Sequence, residues 1–192
     1  TLFRSGLYFL GTFPDIDIFG YIVSLSWFGI IIGSVYLVWM LNLYNFMDGI
    51  NGLASSQAIT FSLCSVVIIT LSQNAGSPDA MTMIALALAG AAAGFIVWNF
   101  PVARIFMGDA GSGFLGITIG LMILYFAKLD SHVLFAELCL LGIFIVDATT
   151  TLLRRLLAGK KVYEAHASHC YQILARKYKS HVPVTLADRK ST

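Results

Sequence analysis

The chain has 192 residues; 58% are hydrophobic and only 11% are charged, as 12 Lys+Arg and 10 Asp+Glu. Ordinary soluble domains carry about 25% charged residues, and mean hydropathy here is +0.82. So little charge cannot cover a water-facing surface, which excludes a soluble globular domain, a disordered chain and a nucleic-acid binder and points to an all-α polytopic membrane protein.

The elements follow in chain order. The sequence opens on Thr1 rather than Met, which predicts processing or a longer parent chain. Leu2–Leu10 is apolar and reads as the end of an earlier span. Asp15–Ser26 alternates loosely around Gly20, as a short strand pair outside the membrane would. Residues 1–25 therefore form an extracytoplasmic segment preceding the spans.

Charges then punctuate the chain, and none lies between Asp17 and Asp48, Asp48 and Asp79, Asp79 and Arg104, or Asp109 and Lys128. A helix needs about 20 apolar residues to cross a hydrocarbon core. Five transmembrane helices are expected within residues 26–153: Ser26–Leu43, Leu53–Leu71, Met81–Trp98, Phe114–Ala127 and Val133–Leu153. An aspartate at mid-span costs about 2.5–3.5 kcal/mol, so the chain turns at Asp48. Small residues recur four apart at Gly29/Gly33, Gly90/Gly94 and Gly116/Gly120, a spacing for close helix packing within one bundle. A homodimer face is its other use. Cys64, Cys139 and Cys170 are far apart and have no metal-ligand spacing.

Nine of the 12 Lys+Arg lie after residue 153, and Arg104 lies between spans three and four. The positive-inside rule puts that loop, the Asn42–Gly52 loop and the basic tail 154–192 on the cytoplasmic face. All the polar clusters then meet on one side of one membrane.

Three clusters carry candidate chemistry. Asn42, Asn45 and Asp48 are three apart and share a helix face, followed by Gly49, Asn51 and Gly52; capped helix ends around a polar turn are the plainer reading. Next comes Asn99-Phe-Pro101, then Arg104 and Gly108-Asp109-Ala-Gly111-Ser112-Gly113. Free N–H groups at a glycine-rich helix start favour phosphate. Asp109 suits Mg²⁺, which takes one or two carboxylates with phosphate oxygens and water. An ordinary N-cap is the alternative. In the tail, Glu164, His166, His169, Tyr171 and Gln172 sit among basic residues, as a phosphate-binding pair or a basic helix on the anionic leaflet. Asp147 lies inside the fifth span. It is either functional, as intramembrane carboxylates often are, or paired to Thr151 or Arg154. Glu137, nearer the outer end, reads as interfacial.

In this order, Asn42-x-x-Asn45-x-x-Asp48-Gly-x-Asn51-Gly-Leu, Phe106-Met-Gly-Asp109-x-Gly-Ser112 and His166-x-x-His169-x-Tyr-Gln resemble the polyprenyl-phosphate N-acetylhexosamine-1-phosphate transferases of glycosyltransferase family 4. The likeness runs from about Phe13 to Leu186, and the tail looks most like the O-antigen-initiating branch. It implies transfer of an N-acetylhexosamine 1-phosphate from a UDP-sugar to undecaprenyl phosphate, releasing UMP, at the cytoplasmic face of a bacterial inner membrane. It implies Mg²⁺ on Asp109, catalytic roles for Asp48 and Asp109, and substrate contacts from Asn42, Asn45, Asn51, Arg104, Gly111, Ser112, His166 and His169. Three departures stand out. No Asp-Asp pair occurs in these 192 residues, although the family carries one, so the chain alone is expected to be inactive. Asn51 replaces the family's usual second Asp, and Ala167 its usual Arg. A transporter or a non-catalytic relative binding lipid or nucleotide are the competing functions.

Overall fold

The computed structural model describes residues 14, 16–18, 21–25, 27–72, 80–159 and 169–191. A small antiparallel hairpin comes first, with β1 (Ile16–Ile18) against β2 (Tyr21–Val23) and Asp17 opposite Ile22. It is the strand pair that the alternation in Asp15–Ser26 suggests. Among the described residues the other elements are helices: α1 (Phe28–Met47), α2 (Leu53–Ser72), α3 (Ala80–Asn99), α4 (Gly108–Leu129), α5 (Ser131–Leu140), α6 (Gly142–Leu157), α7 (Cys170–Lys177) and α8 (Val182–Ser191). Among the described residues, α1 to α4 are each long and apolar enough to cross a membrane. The protein is an all-α polytopic membrane protein with one short hairpin.

In the bundle, α1 packs along α4 and α2 packs along α3. Leu37, Met40, Leu43, Tyr44 and Met47 of α1 are buried, as are Ile119, Met122, Ile123 and Phe126 of α4. Tyr44 meets Phe144 of α6 edge-on at 5.5 Å between ring centroids, a favoured aromatic geometry. Gly116 allows the close approach of α1 and α4, because a Cβ there would collide with the Met40 carbonyl oxygen. This is the packing use of the four-residue spacing. Nothing lies within 4 Å of a Cβ built at Gly90 or Gly94, so the described helices do not use that pair. Ile30, Val35, Val38, Leu63, Val67, Met83 and Leu86 point outward and are exposed. In water they would form an aggregating patch; in a bilayer they are the lipid-facing surface.

Two spans differ from expectation. The fourth begins at Gly108 rather than Phe114, so Gly111, Ser112 and Gly113 belong to the helix, not to a loop before it. The fifth is broken: α5 and α6 meet at 69°. The break exposes backbone that hydrocarbon cannot solvate. Gln57 of α2, 2% exposed, answers part of this by donating from Nε2 to the Leu140 carbonyl at 2.6 Å. Glu137, toward the same end of the bundle as Asp130, lies inside the protein. It is fully buried and accepts from Ser65 Oγ at 2.6 Å.

At the end of the bundle where α2 finishes and α5 begins, Asp130 caps α5. Its side chain accepts from the backbone N–H of His132 at 2.9 Å and from Ser72 Oγ. Those two hydrogen bonds, the Ser72 one first, hold its carboxyl below the usual carboxylate value.

Candidate active site

The opposite end carries the polar loops. α1 stops at Asp48, whose backbone leaves helical angles while its N–H still donates to the Tyr44 carbonyl at 3.0 Å. The chain turns through Gly49, Ile50, Asn51 and Gly52. Gly52 has φ +79°, a left-handed conformation that costs glycine little. Its N–H donates to Asn99 Oδ1 at 2.6 Å, and Asn99 Nδ2 donates on to the Ile105 carbonyl at 2.9 Å. Asn99 thus ties the α1–α2 turn to the loop between α3 and α4.

Between these loops lies a cavity of about 290 Å³, lined by Asn45, Asp48, Asn51, Asn99, Asp109 and Ser112, with Phe106 and Met107 at its side. Asp48 and Asp109 face the same space. Burial, and then the charge of Asp109, push the Asp48 carboxyl up from 3.8 to about 6. Like charges raise each other's cost unless a cation lies between them. The first turn of α4, from Gly108 to Gly111, has N–H groups free of helical partners. Ser112 turns its hydroxyl back to the Gly108 carbonyl at 3.1 Å and is almost fully buried.

The tail is tied to this end through Asp147. Its Oδ1 accepts from the backbone N–H of Cys170 at 2.8 Å and from Thr151 Oγ1 at 3.2 Å, and its Oδ2 from the N–H of Tyr171 at 3.3 Å. His169 Nδ1 lies 3.7 Å from Oδ1. Asp147 therefore holds the start of α7, and Thr151 is its partner of the two anticipated. His169 is 1% exposed, with its ring stacked between Phe46 and Tyr171. Tyr171 Oη donates to the Phe46 carbonyl at 2.8 Å. Burial, then the charges of Asp147 and Asp48, raise its pKa, so it remains a donor near neutral pH. A Cβ at Gly49 would strike that phenol oxygen.

The expected site residues therefore separate. Asn45, Asp48, Asn51, Asp109 and Ser112 share the cavity. Asn42 lies a turn away and donates to the Val38 carbonyl at 2.7 Å. Arg104 lies over the Trp98 ring, 5.8 Å from its centroid, and does not line the cavity; nor does Gly111, which packs against Met107. His169 is part of the α7 seat. His166 lies outside the described residues. Asn99, which opens the second polar cluster without a role assigned to it, also lines the cavity; its signal is an asparagine ending an apolar span directly before Phe-Pro. Among the described residues no three His, Cys, Asp or Glu side chains converge as a metal cage. Two carboxylates with amide and hydroxyl oxygens suit Mg²⁺ that keeps water and phosphate ligands.

These features define a polytopic membrane protein with an acidic cavity where the bundle meets its loops. The sequence profile of glycosyl transferase family 4 matches residues 3–127, and the chain belongs to that family. It is similar to a probable undecaprenyl-phosphate N-acetylglucosaminyl 1-phosphate transferase of Bacillus subtilis (strain 168), at 28% identity over 79% of this chain and 42% of the relative. A phospho-N-acetylmuramoyl-pentapeptide-transferase of Streptococcus pneumoniae (strain Hungary19A-6) is 34% identical over 80% of this chain and 46% of its own. One from Moorella thermoacetica is 34% identical over 58% and 34%. The chain spans less than half the length of these curated relatives.

Proposed function

We propose that the protein acts in transfer of an N-acetylhexosamine 1-phosphate from a UDP-sugar to undecaprenyl phosphate, releasing UMP, as a Mg²⁺-dependent phospho-N-acetylhexosamine transferase. The site faces the cytoplasm at a bacterial inner membrane, and the product starts a cell-surface polysaccharide. The observation that carries this reading is the pair Asp48 and Asp109 facing one cavity, with the Asp48 carboxyl pushed up to about 6. Two like charges there call for a cation, and family membership supplies the chemistry.

In the reaction, an oxygen of the lipid phosphate forms a bond to the sugar-bearing phosphorus. The bond from that phosphorus to UMP breaks, and UMP keeps the electron pair. Asp48 and Asp109 would hold Mg²⁺, whose charge would offset that of the diphosphate. Asn45 offers an amide to a phosphate or sugar oxygen. The first-turn N–H groups of α4 face developing negative charge as fixed donors. Positioning and charge neutralisation do most of the work in such a transfer.

The test uses membranes holding the product of the gene that encodes this chain, with labelled UDP-GlcNAc and undecaprenyl phosphate. The expected result is labelled lipid only with Mg²⁺ present, abolished by chelator. Transfer unaffected by chelator and by both Asp48→Asn and Asp109→Asn would overturn the site. These 192 residues contain no Asp-Asp, and we expect them to be inactive by themselves. A non-catalytic binder is the second reading, favoured by the uncharged Asn51. It predicts UDP-sugar binding without labelled lipid.

A further inference from the structure

We infer that Asn51 is a positioning residue. Its amide locks the two acidic loops at a fixed separation by donating to the Pro101 carbonyl, and His181, just before α8, closes the same lock. This rests on the proposed transfer for its catalytic consequence, though not for its geometry.

Asn51 Nδ2 lies 3.2 Å from the Pro101 oxygen, and His181 Nε2 lies 2.7 Å from the same oxygen. A carbonyl oxygen has two lone pairs and no proton, so both nitrogens donate. His181 therefore carries a proton on Nε2, and both acceptor sites of Pro101 are used. The His181 ring also packs edge-on against Phe100 at 6.3 Å. One turn on, Thr185 Oγ1 donates to the Asn51 carbonyl at 3.0 Å. Asn51 is thus held by its side chain to one loop and by its main chain to α8. Gly52 and Asn99 supply a parallel tie at 2.6 Å. Asp48 lies three residues before Asn51, and Asp109 lies eight after Pro101.

An ionised aspartate could not do this. It accepts only, and it would set a carboxylate against a carbonyl oxygen. It would also put a third carboxylate on a cavity already lined by Asp48 and Asp109. Asn51 therefore serves as a donor where a carboxylate would only add charge.

Hydrogen exchange and transfer are measured on the purified product of the gene that encodes this chain, in detergent, as wild type, Asn51→Asp, His181→Leu and His181→Gln. Gln keeps a side-chain N–H donor; Leu does not. In Asn51→Asp and His181→Leu, the amides of Gly52, Arg104 and Ile105 are expected to exchange about five- to tenfold faster, as for loss of one net hydrogen bond. His181→Gln should stay near wild type. The Mg²⁺ concentration for half-maximal transfer should rise about tenfold in Asn51→Asp, with KM for undecaprenyl phosphate unchanged. Unchanged exchange in Asn51→Asp, or a lower Mg²⁺ requirement, would overturn the lock. If Asn51→Asp fails to fold, the His181 pair decides, and equal protection in Leu and Gln variants overturns it. Wild type without transfer refutes the proposed function, while the exchange arm still judges the lock.

Discussion

The two ends of the helix bundle treat carboxylates in opposite ways. Asp130 is a solved problem: it caps α5, accepts from Ser72 and from the His132 N–H, and ionises more readily than a free aspartate. Asp48 is an unsolved one, half-buried beside Asp109 with its carboxyl pushed up to about 6. The first arrangement stabilises the folded chain by itself. The second costs the fold, a cost that the proposed Mg²⁺ would offset. The same kind of side chain thus stabilises one end of the bundle and strains the other.

The sharpest attempt to break this contrast removes each charge. Asp109→Asn and Asp48→Asn are expected to lower lipid-linked product formation at least about a hundredfold, the scale for losing a fixed electrostatic group at a reacting centre. Asp130→Asn should leave transfer near wild type. A comparable loss in all three would erase the distinction.

Asp147→Ala comes next. Removing the acceptor of two backbone N–H groups and Thr151 should destabilise the docked tail by about 1–3 kcal/mol. Hydrogen exchange across α7 reports it, with α3 as the unaffected control.

The pH dependence should separate the two ends by sign. The Asp48 value is raised in the folded state, so between about 4 and 6 the fold holds a proton that the unfolded chain has released. Its contribution makes stability fall as pH rises through that window and level off above it. Asp130 has a lowered value, so its stabilisation is full above the ordinary value of 3.8 and is lost as pH falls below it. Thermal unfolding in detergent without divalent cations, compared with Asp48→Asn, should show the decline from pH 4 to 6 only in wild type. Added Mg²⁺ at pH 7 should raise the wild-type midpoint and leave the Asp109→Asn midpoint unmoved. The smallest effect is Asp130→Ala at pH 7, about 1 kcal/mol for a lost N-cap, read by the same unfolding assay.

How much of this was legible depended on distance along the chain. The four long helices could be read because a span needs about 20 uninterrupted apolar residues, and the charges mark where such runs end. Asp48 and Asp109 were legible for the same reason, as isolated charges beside glycines at span ends. The start of α4 was misplaced because Gly111, Ser112 and Gly113 look like loop residues, yet a glycine-bearing helix here packs closely on α1. The break at Leu141 left only Gly142 as a trace, since its compensation, Gln57, comes 83 residues earlier. The role of His169 could not be read because its seat on Asp147 forms when a distant segment folds back. Asn51 was visible as a departure, but its partner, the Pro101 carbonyl, belongs to the backbone and has no letter in the sequence.

The partners of Glu137 and of the broken fifth span have a consequence for how the protein is made. Taken alone, residues 131–157 are a poor membrane segment: helices of ten and 16 residues, a sharp bend between them and two acidic groups. An acidic residue at bilayer depth costs a lone helix about 2.5–3.5 kcal/mol. Both compensating groups lie on α2, Ser65 for Glu137 and Gln57 for the Leu140 carbonyl. Chains emerge N-terminus first, so α2 is synthesised, and can be lodged in the bilayer, 72 residues before Glu137 follows Ser65. The order of the genetic message thus places both hydrogen-bond partners in the chain before the groups that need them.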